Sequence, residues 1–135
     1  MKTQKIHAVG LVLLNAENKV LVVFKKMTKV WEFPQGTVEK GEELLDTLHR
    51  EIEEEVSITD FELLEGFQEN TYYRFQRDNM LYDKTVTYFL GRTTQGVRLS
   101  EEHLEYRWCS FDEAMNLFRY ENHKEVLKKA FEKVS

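Results

Sequence analysis

The stretch Gly36-Thr37-Val38-Glu39-Lys40-Gly41-Glu42-Glu43-Leu44-Leu45-Asp46-Thr47-Leu48-His49-Arg50-Glu51-Ile52-Glu53-Glu54-Glu55-Val56-Ser57-Ile58 changes its period partway along, and that change decides the fold. From Glu42 onward Leu45, Leu48, Ile52 and Val56 recur at three- and four-residue spacing, which predicts an amphipathic helix over Glu42 to Val56. Its charges stand at the wrong end. Between Glu42 and Glu55 there are seven acids against one fixed cation, Arg50, and four of the seven sit in the last turns. A helix C-terminus is partially negative and disfavours each exposed acid by about 0.3–1 kcal/mol. Glu51 also repels Glu54 and Glu55, by about 0.2–0.5 kcal/mol per pair. At 100° per residue these three share an arc that edges the apolar stripe, whereas Glu53 falls on the solvent side. Hard oxygen donors gathered against both dipole and repulsion make sense if a divalent cation, magnesium or manganese, neutralises them.

Working outward, the segments on either side read as strands. Ile6 to Leu14 is apolar at odd and even positions alike, as in a strand covered on both faces, and Asn15, Glu17 and Asn18 supply a turn before Val20 to Phe24. Trp31 to Phe33 is a short strand ahead of Pro34 and Gly36. Beyond the helix, Phe61 to Phe67, Tyr72 to Phe75, Thr85 to Leu90 and Tyr106 to Cys109 are rich in aromatic and β-branched residues. Ser110 with Glu113 forms a capping-box start for one helix, and Asn122 with Glu125 a start for another. The order predicts an α/β sandwich with a mixed sheet between helices, one domain over residues 1–135.

The 135-residue chain carries 19 Lys and Arg against 24 Asp and Glu, a formal charge of −5. This balance argues against a dedicated binder of duplex DNA or of an anionic membrane, both of which need concentrated positive charge. No apolar run approaches the roughly 18 residues of a membrane span. With Cys109 the sole cysteine, a disulfide framework is excluded and a reducing, cytoplasmic setting is expected. His7, His49, His103 and Cys109 read as packing or surface residues. A monomer is the simplest expectation.

The spacing from Gly36 through five residues to Glu42, and through seven more to Arg50-Glu51-Ile52-Glu53-Glu54-Glu55-Val56-Ser57-Ile58, resembles the Nudix box, departing from it only where Ser57 replaces a glycine. The resemblance implies a loop–helix–loop that binds divalent metal and hydrolyses nucleoside diphosphates linked to another group. By position it makes Glu54 and Glu55 metal ligands and Glu51 a ligand or the base that deprotonates water. The Gly36 carbonyl completes the site, Arg50 orients the carboxylates and Glu42 braces the loop. Such a set suits phosphoanhydride cleavage, which needs neutralised phosphate oxygens and an oriented water but no nucleophilic side chain.

Outside the box, Trp31-Glu32-Phe33-Pro34, Glu65-Gly66-Phe67, Lys84-Thr85-Val86-Thr87-Tyr88-Phe89 and Leu99 to Trp108 resemble the asymmetrical diadenosine tetraphosphate hydrolases of the animal and archaeal type. That likeness implies polyphosphate contacts from Lys84 and Tyr88, a distal metal or water contact from Glu102, and an adenine stacked on Tyr120, with Trp31 and Tyr73 as further substrate contacts. The alternation of strand side chains agrees in putting Lys84 and Tyr88 on one face. Gln35, however, stands where that group usually has lysine, and Trp31-x-Phe33-Pro34-Gln35-Gly36 looks like bacterial RNA pyrophosphohydrolases. An RNA 5′ end, or another nucleoside triphosphate, is therefore the second substrate reading, with Lys25, Lys26, Lys29, Arg74 and Arg77 as its basic path.

Overall fold

The computed structural model describes residues 2–101 and 103–135. In chain order the elements are β1 (Lys2–Leu14), β2 (Val20–Lys25), β3 (Trp31–Glu32), β4 (Gln35–Thr37), α1 (Leu44–Val56), β5 (Glu62–Leu63), β6 (Glu69–Arg77), β7 (Met80–Arg92), β8 (His103–Cys109), α2 (Phe111–Leu117) and α3 (Glu121–Val134). The strands form a mixed sheet in the order β3-β2-β1-β7-β5, with β4 paired to β1, β6 to β7 and β8 to β2. Its spine is the parallel pair β1–β7, in register from Lys2 opposite Met80 to Leu14 opposite Arg92.

A parallel pair at the centre of a sheet needs both faces covered. Every residue from Ala8 to Leu14 is indeed buried, whatever its parity. Ala8, Val12 and Leu14 join Val22, Val86, Tyr88 and Leu90 against Ala114 and Phe118 at α2 and Val126, Leu127 and Ala130 of α3. Val9, Leu11 and Leu13 join Leu21 and Val23 against Leu48, Ile52 and Val56 of α1. The expected sandwich of a mixed sheet between helices is the observed one. Leu48, Ile52 and Val56 have no exposed surface, and each buried side chain contributes about 1.5–3 kcal/mol to holding α1 on the sheet. Leu45, counted in the stripe from its spacing, is 44 % exposed instead.

The element boundaries differ from the sequence reading for physical reasons. β1 begins at Lys2 rather than Ile6, because the first residues of β7 offer it hydrogen-bond partners that no pattern of polarity reveals. Asp78 and Asn79 have φ of 50° and 62°. These values suit the two-residue turn that matches strand twist, so β6 and β7 form one long hairpin instead of two short strands. Of Phe61 to Phe67 only Glu62–Leu63 pairs with β7. α3 starts at Glu121, with Tyr120 as its N-cap, so the proposed start at Asn122 lies inside the first turn. α1 begins at Leu44 and leaves Glu42 in the preceding loop. At its other end Ser57 is left-handed, φ 61° and ψ 31°, a conformation costing a non-glycine residue about 1–2 kcal/mol. The Ser57 hydroxyl offsets part of this by donating to the Arg98 carbonyl at 3.0 Å.

Candidate active site

Gly36 lies on β4 opposite Val9 of β1, and the next loop delivers Glu42 to the side of α1 on which Arg50 stands. Arg50 is the hub. Its Nε donates to Glu42 Oε2 at 2.6 Å and Nη2 to Glu42 Oε1 at 2.9 Å, a two-pronged pair. Nη1 reaches Glu51 Oε1 at 2.8 Å and Glu54 Oε2 at 3.3 Å, and Nη2 also reaches the Thr37 carbonyl at 3.2 Å. Glu42 is held further by the Glu39 N–H at 2.9 Å and the Thr47 hydroxyl at 2.8 Å. The Arg50 hydrogen bonds, ahead of the Glu39 N–H, push the Glu42 pKa down to about 2. One guanidinium thus locks the loop to the helix and aligns two carboxylates.

Those carboxylates are unalike. The Glu51 side chain is pressed so tightly on Gly36 that a Cβ there would lie 2.2 Å from Glu51 Oε2. Burial raises its pKa; the Arg50 hydrogen bond opposes the shift, and repulsion from Glu55 and Glu54 adds to it. Glu54 is exposed. Glu55 turns inward and is only 3 % exposed. Its Oε1 accepts from the Gln35 N–H at 3.1 Å, and Oε2 lies 3.1 Å from Nε2 of His103 on β8. Burial lifts its pKa, opposed by His103. Among the described residues, no three acidic, histidine or cysteine side chains converge closely enough to hold an ion as they stand. The donor set still suits a hard divalent cation. Glu51 and Glu54 oxygens meet at one guanidinium nitrogen, their mutual repulsion is relieved by positive charge, and Gln35 Oε1 is a buried acceptor without a hydrogen-bond partner. Glu102, expected to be a distal metal contact, lies outside the described residues.

On the α3 side of the sheet a second group assembles. Lys84 stands opposite Tyr73 across the β6–β7 hairpin, with its Nζ 5.7 Å from the centre of that ring. Burial lowers the Lys84 pKa, and the neighbouring charge of Lys25 adds to the effect. Tyr88 shares the Lys84 face, as expected from alternation. At 1 % exposure, however, it is a core residue, fitted over Gly10 and edge-on to Phe33 at 5.4 Å, and not the projecting phosphate contact that its position on a strand suggested. Tyr120, half-exposed at the head of α3, lies 6.2 Å from the ring of His123. Trp31 packs between Phe24 at 5.2 Å and the Arg107 guanidinium at 4.9 Å, engaged with β2 and β8. Of the expected basic path two members are engaged within the protein: Arg74 pairs with Asp83 at 2.7 Å, and Lys25 lies 3.4 Å from the buried Glu32.

A carboxylate-rich helix end locked by arginine, together with a cationic and aromatic group on the α3 side of the sheet, equips a protein for phosphoanhydrides of nucleotides. Comparison with known proteins turns this class into a family. The family description "NUDIX domain" matches residues 4–131. The asymmetrical bis(5′-nucleosyl)-tetraphosphatase of Rattus norvegicus is 38 % identical over 103 residues, covering 73 % of this chain and 67 % of the relative. An RNA pyrophosphohydrolase of Pelagibacter ubique is 45 % identical over 60 residues, 43 % of this chain and 38 % of that protein. The crystal structure of a C. elegans Ap4A hydrolase binary complex superposes with a TM-score of 0.81 at 27 % identity, covering 92 % of this chain and 93 % of that one. The chain belongs to the Nudix family, as a pyrophosphohydrolase acting on nucleoside polyphosphates.

Sequence reasoning missed the inner support of this site. His103 is buried, in keeping with a packing role, and what its sequence position does not reveal is its contact with Glu55; Glu32 is buried with Lys25 as its ion-pair partner. His123, which the sequence did not single out, is wedged between Phe33 and Phe118, and its Nδ1 is buried without a hydrogen-bond partner. No local pattern marks these residues, since each meets its neighbours only across the folded sheet. His7 and His49 are exposed, on the surface side of the packing-or-surface expectation: His7 bonds to Thr87 at 2.8 Å and His49 stacks on Phe61 at 4.7 Å.

Proposed function

We propose that the protein is a divalent-metal-dependent hydrolase that cleaves diadenosine tetraphosphate asymmetrically to ATP and AMP. The observation that carries this reading is the Arg50-held pair Glu51 and Glu54 in the last turns of α1, with Glu51 packed on Gly36. The likeness to asymmetrical tetraphosphatases over nearly three-quarters of the chain favours the dinucleotide, and the shorter likeness to an RNA pyrophosphohydrolase keeps the RNA 5′ end as the second reading.

In this reading Glu51, Glu54, Glu55 and the Gly36 carbonyl hold magnesium or manganese, and Glu102 is a further metal or water contact by the family resemblance alone. When bound, the metal supplies neutralisation of phosphate charge and acidification of water. Arg50 keeps Glu51 and Glu54 aligned before substrate arrives, so little reorganisation remains for the reaction. Glu51 has a raised pKa from burial, which suits it to accept a proton from water if it is not itself a ligand. Glu55, bonded to the Gln35 N–H, couples the site to β4, the strand that carries Gly36. Lys84 meets the phosphate chain, Tyr73 and Tyr120 hold a base between them, and Tyr88 and Trp31 shape the walls.

Initial rates with magnesium on diadenosine tetraphosphate, a 5′-triphosphorylated oligoribonucleotide and ATP test the substrate assignment. The dinucleotide should be preferred and should yield ATP and AMP. A wide preference for the triphosphorylated RNA would replace the first reading with the second.

A further inference from the structure

Beyond Lys84 the sheet continues outward as three strands whose register sorts side chains onto two faces of opposite character. Tyr73 stands opposite Lys84, Phe75 opposite Tyr82 and Arg77 opposite Met80, and Met80 is flanked on its other side by Lys2 of β1. Side chains alternate along a strand, so all of these share the face that bears Tyr88. That face holds three cations and three aromatic rings, with no acid between Lys2 and Ile6, Met80 and Lys84, or Tyr73 and Arg77. On the reverse face Asp83 lies between Arg74, paired with it at 2.7 Å, and Lys5 of β1, so that the cations there already face an acid.

The rings form a continuous row. Phe75 and Tyr82 stack at 4.9 Å with planes 17° apart, and Tyr73 lies 6.0 Å from Phe75. The Arg77 guanidinium sits 5.5 Å from the Phe75 ring at one end, and the Lys84 ammonium 5.7 Å from Tyr73 at the other. Four residues of strand separate Lys84 from Met80, about 13 Å. A dinucleoside polyphosphate that places its phosphates at Lys84 has only an uncharged nucleoside to offer Arg77 and Lys2 that far out. A polynucleotide carries a phosphate at every residue. In a chain of net charge −5, a face whose outer part, beyond Lys84, presents no acid from these three strands also localises attraction for a polyanion. We propose that this face of the β1–β7–β6 extension is a stacking platform for single-stranded nucleic acid, leading outward from the hydrolytic pocket. Only the placing of the strand's 5′ end in that pocket rests on the functional reading above; binding to the platform needs neither metal nor catalysis.

Fluorescence anisotropy with fluorescein-labelled, 5′-hydroxyl oligoadenylates, in EDTA and low salt, tests this. Affinity should rise from the dinucleotide to the decamer and fall as salt rises. Arg77→Gln and Phe75→Ala should each weaken the decamer by at least about fivefold, the scale of losing a stacked base or its cation. Arg74→Gln, on the reverse face, should stay within about twofold of wild type if charge alone is not the cause. Deoxyribose and ribose strands should bind within about threefold, since stacking and backbone charge do not read the 2′-hydroxyl, and a duplex should bind more weakly. Affinity independent of length, an equal loss in Arg74→Gln, a strict ribose requirement, or equal binding of duplex would each overturn the proposal. Arg77 is on the surface, so its variant keeps the test decisive should Phe75→Ala fail to fold. Arg77→Gln should hydrolyse diadenosine tetraphosphate at the wild-type rate. A parallel loss of that hydrolysis would make the face part of the pocket and overturn the platform, whereas a wild-type protein inert on the dinucleotide would remove the functional reading and leave the platform standing.

Discussion

Replacing Arg50 should separate the stability of the loop–helix unit from its activity. Arg50→Ala removes the two-pronged bond to Glu42, the bond to Glu51 and the weaker one to Glu54. The Glu54 contact counts for little, because that side chain is 58 % exposed. The Glu42 and Glu51 side chains are only 18 % and 16 % exposed, so their carboxylates would lose a charged partner while mostly covered. A hydrogen bond between charged groups contributes about 1.5–3 kcal/mol where it is covered, so the Glu51 bond alone puts the loss at about 2–3 kcal/mol. Arg50→Lys keeps one point of charge but cannot span both carboxylates, and should recover roughly half. With a urea slope of about 2 kcal/mol/M, Arg50→Ala lowers the denaturation midpoint by about 1–1.5 M. The pH dependence sharpens the test. Glu42 has a folded pKa of about 2 against an ordinary 4.5. A depressed acid stabilises the fold fully above its unfolded pKa and loses that contribution as pH falls through the folded one. The gap between wild type and Arg50→Ala should therefore be constant near neutrality and shrink from pH 4.5 towards 2. Turnover should fall about 10- to 100-fold in Arg50→Lys, as Glu51 and Glu54 lose their alignment. A midpoint unchanged in Arg50→Ala, or a gap that widens in acid, would refute the reasoning.

Four other outcomes follow from the same geometry. Glu55→Gln should leave the fold intact, since the amide can still accept from the Gln35 N–H, while turnover falls by at least about 100-fold through loss of a ligand charge; unchanged activity would remove Glu55 from the site. Lys84→Ala should lower kcat/KM by about one to two orders of magnitude, and Tyr120→Ala should mainly raise KM by the worth of a stacked base, about 1–3 kcal/mol, as steady-state kinetics on diadenosine tetraphosphate would report. At Ser57, alanine keeps the left-handed strain and loses the bond to Arg98, so Ser57→Ala should be less stable than Ser57→Gly by about 1 kcal/mol in urea denaturation; the reverse order would contradict the strain at this helix end.

How far the sequence could be read depended on whether a feature is local. The period and charge of Glu42 to Val56 are properties of one helix, so the helix, its apolar stripe and its crowded acids were legible, apart from the half-exposed Leu45. The double-faced burial expected over Ile6 to Leu14 was legible for the same reason from Ala8 onward, whereas Ile6 is half-buried and His7 exposed. Pairing between distant segments was not: the length of β1 depends on β7, some eighty residues away, and the strand boundaries changed accordingly. Tyr88 illustrates the limit of alternation. Parity assigned it to the Lys84 face, but only the approach of Gly10 and Phe33 decides that its ring is buried. His103 and Gln35 gain their places through Glu55, a contact that joins β8, β4 and the end of α1.

The most direct test of the central claim is mass spectrometry of the products formed from diadenosine tetraphosphate, with magnesium, in oxygen-18 water. A positioned water attacking one phosphoanhydride predicts equal amounts of ATP and AMP, with one oxygen-18 per turnover in one of the two, and no reaction in excess chelator. Two molecules of ADP, unlabelled products, or full turnover in the chelator would contradict it.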